Sequence, residues 1–175
     1  MLLDLSAAFD TVDHRELLLT LQGLGFIGMA LKWFHSYLSG RTQVIKVKDK
    51  TSVASCLECG VPQGSVLGPI LFTIYTSSLG TILRHKHMDY HLYADDSQLY
   101  LNFKLKDIDN AISHMGSCVS SVQSWMSNHH LKMNDDKTEF LIIFSKQQDC
   151  KVQVNPLHIG SHSIMPSRTA KAWVL

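Results

Sequence analysis

The sequence lacks an excess of charge of either sign. Its 175 residues carry 16 Lys and Arg against 15 Asp and Glu, a formal net charge of +1, and the isoelectric point is about 7.8. Domains that bind nucleic acid often have an isoelectric point above roughly 9, so the overall charge does not by itself indicate that function. It does not exclude the function either, because basic residues can lie in a segment absent from this chain.

Cysteine is scarce as well, and two of the four cysteines, Cys56 and Cys59, form a C-x-x-C pair. A zinc site needs a second pair of ligands at a suitable spacing. The nearest candidates, His158 and His162, follow roughly a hundred residues later, far beyond the spacing found in zinc fingers. We therefore expect reduced cysteines in an intracellular protein.

The chain has no long uninterrupted apolar run and no recognisable secretory signal. Met1 is followed by LLDLSAAFD, which places an Asp at the fourth position and offers no basic leading region. The most apolar segment, 66–83, contains Thr, Ser, Gly and Pro and is typical of a buried helix rather than a membrane span. With 45% hydrophobic and 18% charged residues, and without repeats or linkers, the composition indicates a globular domain.

Hydrophobic periodicity predicts a mixture of helices and strands. The predicted elements are a strand over 1–5, helices over 14–25 and 29–40, strands over 42–48 and 51–58 around the turn Asp49–Lys50, a loop over 60–69, a helix that Pro69 helps to begin and that extends to about 83, a hairpin over 89–103, a helix over 107–128, a strand over 138–145 and short strands over 157–160 and 162–165. This order favours an α+β fold in which helices pack on one face of a mostly antiparallel sheet.

Two adjacent aspartates, Asp95 and Asp96, occupy the tip of the predicted 89–103 hairpin. Successive strand residues point to opposite faces, so both carboxylates reach one site only where the backbone turns. Asp-Asp-Ser is typical of such a turn, and an ordinary solvated turn has the same composition. Carboxylates of this kind suit Mg²⁺, which usually binds one or two of them together with substrate phosphates.

A third carboxylate, Asp4, interrupts the first apolar strand. A buried Asp is costly unless it is paired or bound to a metal ion. If the first strand and the hairpin are neighbours, Asp4 lies close to Asp95 and Asp96, and divalent cations would remove the repulsion among the three. Two metal ions about 4 Å apart serve in-line displacement at phosphorus. The residues therefore predict a two-metal phosphoryl-transfer site, as in a polymerase or a nuclease.

Four segments resemble the A, B, C and D motifs of reverse transcriptases, in particular those of non-long-terminal-repeat retrotransposons. They are LLDLSAAFDTVDH, GVPQGSVLGPILFTIY, YADDSQLY and LKMNDDKTEFLIIF, in that order. The resemblance is specific over residues 1–145 and weak over 146–175. It implies a polymerase palm over 1–145, with a ferredoxin-like core of mostly antiparallel strands and helices on one face. Residues 146–175 would form a truncated segment similar to the primer grip.

The resemblance implies a metal site. Asp4 matches the first metal-binding aspartate of the palm, and Leu5 would offer its backbone carbonyl to a metal ion. Asp95 matches the second metal-binding aspartate, and Asp96 is its neighbour in the active site. The implied cofactors are two Mg²⁺ ions, for which Mn²⁺ can substitute.

The resemblance also implies a nucleotide pocket. Phe9 matches the aromatic steric gate, whose bulk would clash with a ribose 2′-hydroxyl and favour deoxynucleotides. Gln63 and Gly64 lie in the segment beside the incoming nucleotide, and Lys137 matches the lysine proposed as a proton donor to pyrophosphate. The neighbours of the first motif, Asp10, Asp13 and His14, are given no chemistry, and Asp13 is expected to cap the helix that follows.

The implied function is RNA-directed DNA synthesis: nucleotidyl transfer from a dNTP to the 3′-hydroxyl of a DNA primer on an RNA template. No membrane and no obligate protein partner are implied, and the compartment would be the cytoplasm or the nucleus. Because segments similar to the fingers and thumb are not recognised, we expect a palm fragment. The alternative is a catalytically inactive retroelement remnant with at most weak nucleic-acid binding. A nuclease is disfavoured because Phe9 and Gln63 suit a nucleotide pocket rather than a water nucleophile.

Overall fold

The computed structural model describes residues 1–144, 155–159 and 162–167. Over these residues the α-helices are α1 His14–Gly23, α2 Gly28–Leu38, α3 Gly68–Tyr75, α4 Ser77–His85 and α5 Ile108–Asn128, and 3₁₀ turns span Ala8–Asp10 and Leu105–Asp107. The strands are β1 Leu2–Leu3, β2 Leu5–Ser6, β3 Thr42–Gln43, β4 Lys46–Val47, β5 Lys50–Thr51, β6 Ser55–Cys56, β7 Asp89–Tyr93, β8 Asp96–Tyr100, β9 Lys132–Met133, β10 Phe140–Leu141, β11 Leu157–Ile159, β12 His162–Ile164 and β13 Pro166–Ser167. None of these helices has the length and apolar character needed to cross a membrane.

Short antiparallel pairings organise the strands around the N-terminus. Strands β1, β8 and β7 lie side by side in that order, and each neighbouring pair is antiparallel. Beyond Asp4 the first strand continues as β2, which pairs with β9. Strands β11 and β12 form a further antiparallel pair, whereas β10 and β13 are parallel. The predicted α+β class is confirmed, as are the two short strands near residues 157 and 162.

Helix α5 supplies much of the core. Its spacing of apolar residues buries one stripe of the helix, as predicted from the 3.6-residue period, and α5 packs against α4, β9 and β11. The Tyr75 hydroxyl at the end of α3 donates a hydrogen bond to the carbonyl of His129, 2.6 Å away, just beyond α5. The buried stripe of α5 consists of Ala111, Met115, Cys118, Val119, Val122, Trp125 and Met126.

The first helix begins where the sequence predicts and ends at Gly23, two residues before the predicted limit at Gly25. The Oδ1 atom of Asp13 accepts a hydrogen bond of 2.9 Å from the N–H of Glu16, which is the N-cap arrangement. After the helix, Gly25 adopts a left-handed φ of +94°, and the N–H of Phe26 donates to the carbonyl of Leu21 at 3.1 Å. This return bond belongs to the Schellman motif, which favours glycine at this position.

The predicted helix that extends to residue 83 is two helices, because the chain breaks at Thr76 between α3 and α4. The hydroxyl of Thr76 donates to the carbonyl of Phe72, 3.0 Å away. Back-bonding of a threonine to the carbonyl four residues earlier competes with the helical ladder and bends helices. Hydrophobicity alone does not reveal this break, since both helices are apolar.

Several strands also differ from the prediction. The strand predicted over 42–48 is divided into β3 and β4, and the strand predicted over 51–58 begins at Lys50 and is divided into β5 and β6. The turn between β4 and β5 is Lys48–Asp49 rather than Asp49–Lys50, because Val47 pairs with Lys50 and Lys48 takes the left-handed φ of +54°. The strand predicted over 138–145 is limited to β10, which pairs with β13 over two residues. Beyond it Ile143 is 93% exposed, so the apolar run there continues without a ladder. Residue 145 and the predicted boundary after it lie outside the described residues.

Candidate active site

The register of the central strands brings Asp4 to Asp96. Leu2 lies opposite Gln98 and Leu3 opposite Ser97 in the antiparallel pair β1–β8. One further step of this register places Asp4 opposite Asp96. Directly opposite residues of antiparallel strands have Cβ atoms about 5 Å apart on the same face. The convergence of these two carboxylates follows from the pairing of the first strand with the hairpin.

Asp95 joins them through the turn of the β7–β8 hairpin. Tyr93 pairs with Asp96, so Ala94 and Asp95 form a two-residue turn, in which Ala94 has a φ of +51°. Burial raises the pKa of the Asp96 carboxyl above its ordinary value, and the negative charges of Asp95 and Asp4 raise it further. Asp95 and Asp4 therefore lie close enough to Asp96 for their negative charges to act on its carboxyl group.

The side chains of Asp4, Asp95 and Asp96 are not arranged to coordinate one metal ion together. In the part of the chain that the structure describes, no group of three or more His, Cys, Asp or Glu side chains stands ready to hold a metal ion. A shared site formed by Asp4, Asp95 and Asp96 requires these side chains to turn towards one point. Their backbone positions allow this, because they come from two adjacent strands and the turn that joins one of them to the next.

Asp4 carries an unsatisfied buried oxygen. Its Oδ2 atom is buried and accepts no hydrogen bond, and the side chain is 13% exposed. The ammonium of Lys137 lies 3.6 Å from this oxygen, which is an ion-pair distance but too long for a hydrogen bond. A buried carboxylate oxygen without a partner is costly. Carboxylate oxygen is also the donor that hard divalent cations prefer, so the atom fits a metal ligand.

The segment after β9 fixes Lys137 beside Asp4. The N–H of Asn134 donates to the backbone carbonyl of Asp4 at 2.9 Å. A tight turn follows, in which the N–H groups of Lys137 and Thr138 donate to the carbonyl of Asn134 at 3.2 and 3.0 Å. The Lys137 side chain is 68% exposed, so its ammonium lies at the solvent side of the carboxylates.

The loop after the first strand is docked on the loop that begins at Gly60. The N–H of Gly60 donates to the carbonyl of Val12, and the N–H of Val61 to that of Phe9, both at 2.8 Å. The Nε2–H of His14 donates to the Gly60 carbonyl at 2.7 Å. Gly60 has a φ of +88°, and a Cβ there would lie 3.1 Å from the Asp10 carbonyl oxygen. Only glycine permits so close an approach of two backbones without strain.

This docking places Phe9 and Gln63 at one junction. The Phe9 ring packs on Phe72 of α3 with ring centroids 4.9 Å apart. The Nε2 atom of Gln63 donates to the carboxylate of Asp10 at 3.4 and 3.5 Å. Gly64 follows with a left-handed φ of +75°. The first and second motifs thus meet through backbone and side-chain contacts.

The predicted site residues fall into two groups. Asp4, Asp95, Asp96 and Lys137 gather at the end of the β1–β8 pair, and Leu5 adjoins them in β2, opposite Met133. The second group consists of Phe9, Gln63 and Gly64. This second group is joined to the first group through the short segment that links β2 to the 3₁₀ turn at Ala8–Asp10.

Sequence reasoning gave no role to two residues that join these loops. Asp10 accepts the Gln63 amide, and His14 bonds the Gly60 carbonyl. The sequence feature that pointed to Asp10 and His14 was their position in the first motif, where both polar residues follow an apolar strand. Spacing alone does not show that their partners lie about fifty residues later, so only the tertiary fold identifies them.

The crowding of carboxylates predicts that Asp96→Asn stabilises the protein at pH 7. The raised pKa means that the folded state binds more protons than the unfolded state between the ordinary and the raised value, so stability falls as pH rises through that window. Removing the charge should raise the free energy of unfolding by about 0.5 kcal/mol, or roughly 1–2 °C. The pH dependence across that window should flatten.

Thermal denaturation from pH 3 to 8, compared with Asp89→Asn, checks this prediction. Asp89 is exposed at the opposite end of the same hairpin, opposite Tyr100, so its replacement changes net charge equally without relieving the cluster. An Asp96→Asn protein with the same stability and the same pH dependence as the control would contradict repulsion between Asp96 and its two neighbouring carboxylates.

Comparison with known proteins identifies the chain's relatives. A family model described as "Reverse transcriptase (RNA-dependent DNA polymerase)" matches residues 1–163. The RNA-directed DNA polymerase from mobile element jockey of Drosophila melanogaster is 30% identical over 166 residues, which cover 91% of this chain and 18% of the relative. The probable RNA-directed DNA polymerase from transposon BS of the same species is 29% identical over 141 residues, which cover 78% of this chain and 15% of the relative.

A shorter match links the chain to the probable RNA-directed DNA polymerase from transposon X-element of D. melanogaster, 34% identical over 82 residues, or 45% of this chain and 9% of the relative. The chain spans less than a fifth of the length of these curated relatives. The family model covers most of the chain, including the carboxylates, the docked loops and Lys137. The resemblance identified from the four motifs is confirmed, and the chain belongs to the reverse transcriptase family.

Proposed function

We propose that this chain is the palm of an RNA-directed DNA polymerase, which joins a dNTP to the 3′-hydroxyl of a DNA primer paired with an RNA template. The observation that carries the proposal is the β1–β8 register, which places Asp4 opposite Asp96 and next to the turn that contains Asp95. Three neighbouring carboxylates, of which Asp4 carries an unsatisfied buried oxygen, have the chemistry of a divalent metal site. RNA template, DNA primer and dNTPs are accordingly the proposed partners.

Asp4, Asp95 and Asp96 would hold two Mg²⁺ ions, with Mn²⁺ as a substitute and the Leu5 carbonyl as a further oxygen ligand. When bound, such ions activate the attacking oxygen and neutralise charge on the leaving group. The protein's own contribution is to hold the three carboxylates near one another, Asp4 just after β1, Asp95 in the β7–β8 turn and Asp96 at the start of β8. Lys137 balances the charge of Asp4 until substrate arrives, and its ammonium is the proposed donor of a proton to the departing pyrophosphate.

Phe9, Gln63 and Gly64 would form the side of the pocket that receives the nucleotide. Phe9 is held from behind by Phe72, and a rigid ring is suited to exclude a ribose 2′-hydroxyl. Gln63 is anchored by Asp10 and presents its remaining amide atoms to a ligand. The left-handed backbone at Gly64 leaves this stretch of chain free of a side chain, so a substrate can approach closely.

The division of the chain is also a proposal. Residues 1–145 would form the palm around a ferredoxin-like core, and residues 146–175 a segment similar to the primer grip. The antiparallel β1–β8–β7 arrangement with α5 and α4 packed nearby supports the palm. Strand β11, which pairs with β12, packs against α5, so the segment after the palm would rest on the palm's core helix.

Primer extension tests the proposed function. The folded wild-type chain is incubated with a DNA primer on an RNA template, dNTPs and Mg²⁺ or Mn²⁺, beside Asp95→Ala/Asp96→Ala. We expect extension by the wild type and none by the double variant. The matched control is Asp107→Ala/Asp109→Ala, which removes two carboxylates at the start of α5 and should extend like the wild type.

The outcomes separate the candidate functions. Extension that survives in the Asp95→Ala/Asp96→Ala protein would place the catalytic metal elsewhere. A folded wild type that binds the primer–template but adds no nucleotide would favour an inactive retroelement remnant with its carboxylates retained. Circular dichroism of each variant establishes folding before the assay.

A further inference from the structure

A β-ribbon between α2 and the Gly60 loop projects from the body of the protein. We call residues 41–57 the basic arm. Its strands β3 and β6 pair near the base and β4 and β5 pair near the tip. Every residue from 42 to 56 is exposed. A two-stranded ribbon alone is only marginally stable in water, so a partner that covers the arm would stabilise it.

The charge of the arm differs from that of the whole chain. Arg41, Lys46, Lys48 and Lys50 are four of the 16 basic residues of the protein, and Asp49 is the only acidic residue from 41 to 57. The chain as a whole is nearly neutral, at +1. The arm is therefore a local concentration of positive charge, which attracts a polyanion over the distance of a Debye length.

The lysines near the tip lie on both faces of the ribbon. Lys46 pairs with Thr51 and Val47 pairs with Lys50, so Lys46 and Lys50 project from opposite faces because side chains alternate along a strand. Lys48 lies in the turn itself, with a φ of +54°. A ribbon that carries basic side chains on both faces and in its turn can contact phosphates of both strands of a duplex from outside the grooves.

The base of the arm adjoins the loops of the candidate site. The N–H of Leu57 closes the arm by donating to the carbonyl of Arg41 at 2.9 Å. Two residues later, Cys59 forms an isolated antiparallel β-bridge with Asp13. The next residue, Gly60, is hydrogen-bonded to the loop of the first motif. The arm is therefore joined directly to the loops of the candidate site.

We propose that the basic arm binds the phosphate backbones of an RNA–DNA duplex through Lys46, Lys48 and Lys50. The inference deepens the proposed function, and it rests on that function for the identity of the duplex. The exposed apolar residues of the arm, Val44 and Val53 among them, would suit a protein surface. Charge on both faces around the tip favours a polyanion with two strands instead.

Binding without chemistry tests the arm apart from catalysis. The wild type is titrated against a labelled RNA–DNA hybrid of about 20 base pairs in EDTA and without dNTPs, at salt concentrations from roughly 50 to 200 mM. We expect Lys46→Gln/Lys48→Gln/Lys50→Gln to bind at least about tenfold more weakly. The slope of log K against log salt should become shallower by about 2–3, near 0.9 for each lost phosphate contact.

The matched control is Lys32→Gln/Lys104→Gln/Lys106→Gln, which removes the same charge from exposed positions outside the arm. It should keep the wild-type slope. Equal losses in both triple variants would overturn the inference, since net charge alone would explain them. So would a wild type that does not bind the hybrid, or arm-dependent binding to phosphatidylserine vesicles with none to the hybrid.

The two proposals fail separately. Arm-dependent binding together with absent primer extension would leave the inference intact and contradict the proposed function. Extension by the wild type, with unchanged hybrid binding by the arm variant, would contradict the inference alone.

Discussion

Asp4→Asn is expected to reduce RNA-templated nucleotide addition at least about a thousandfold, while the melting temperature stays within a few degrees of the wild type. Asparagine keeps the size of the side chain but loses the charge that would bind a divalent cation in the proposed site. Charge stabilisation by a catalytic metal ion contributes several kcal/mol, and about 1.4 kcal/mol corresponds to each tenfold in rate. Single-nucleotide addition under saturating dNTP measures the loss.

The control for this variant is Asp89→Asn, which removes an exposed carboxylate from the far end of the β7–β8 hairpin and should act like the wild type. Mg²⁺ should also raise the melting temperature of the wild type and of Asp89→Asn, because a cation that binds only the folded state stabilises it. Asp4→Asn should show no such rise. Activity within tenfold of the wild type in Asp4→Asn would contradict a metal-binding role.

Phe72→Ala is expected to destabilise the folded protein severely. Phe72 is fully buried in α3, its ring packs on Phe9, and its carbonyl accepts the Thr76 hydroxyl. Removing a buried phenyl ring leaves a cavity and costs roughly 3–5 kcal/mol. For a chain of this size each kcal/mol lowers the melting temperature by about 2–4 °C, so a fall of about 10 °C is expected.

Phe103→Ala is the matched control, because this phenylalanine is 39% exposed and lies after β8. Its loss should cost less than about 1 kcal/mol. Thermal and urea denaturation of both variants measure the difference. A Phe72→Ala protein no less stable than Phe103→Ala would show that the ring does not hold the loop of the first motif against α3.

The carboxylates could be predicted from the sequence because each breaks a local rule. Asp4 interrupts an apolar strand, and Asp95 and Asp96 occupy a hairpin tip between apolar segments. Polar residues at positions where the pattern demands apolar ones are expected at functional sites. Helix α5 and the cap at Asp13 could also be predicted from the sequence, because hydrophobic periodicity and helix capping depend on residues close together in the chain.

Other features depend on contacts that a linear pattern does not contain. The break at Thr76 falls inside one apolar run, and no proline or glycine stands at the break to signal it. The short extent of β10 depends on a partner strand that arrives from residues 166–167. The contacts of Asp10 with Gln63 and of His14 with Gly60 join loops distant in sequence. The motifs indicated that these segments act together, but only the fold shows which atoms meet.

The most direct measurement is primer extension on an RNA template by the wild-type chain and its Asp95→Ala/Asp96→Ala variant, after both are shown to be folded and to bind the hybrid. We predict Mg²⁺-dependent addition of the complementary deoxynucleotide by the wild type alone. Equal addition by the two proteins, or a hybrid-bound wild type that adds no nucleotide, would contradict the assignment of catalysis to Asp4, Asp95 and Asp96.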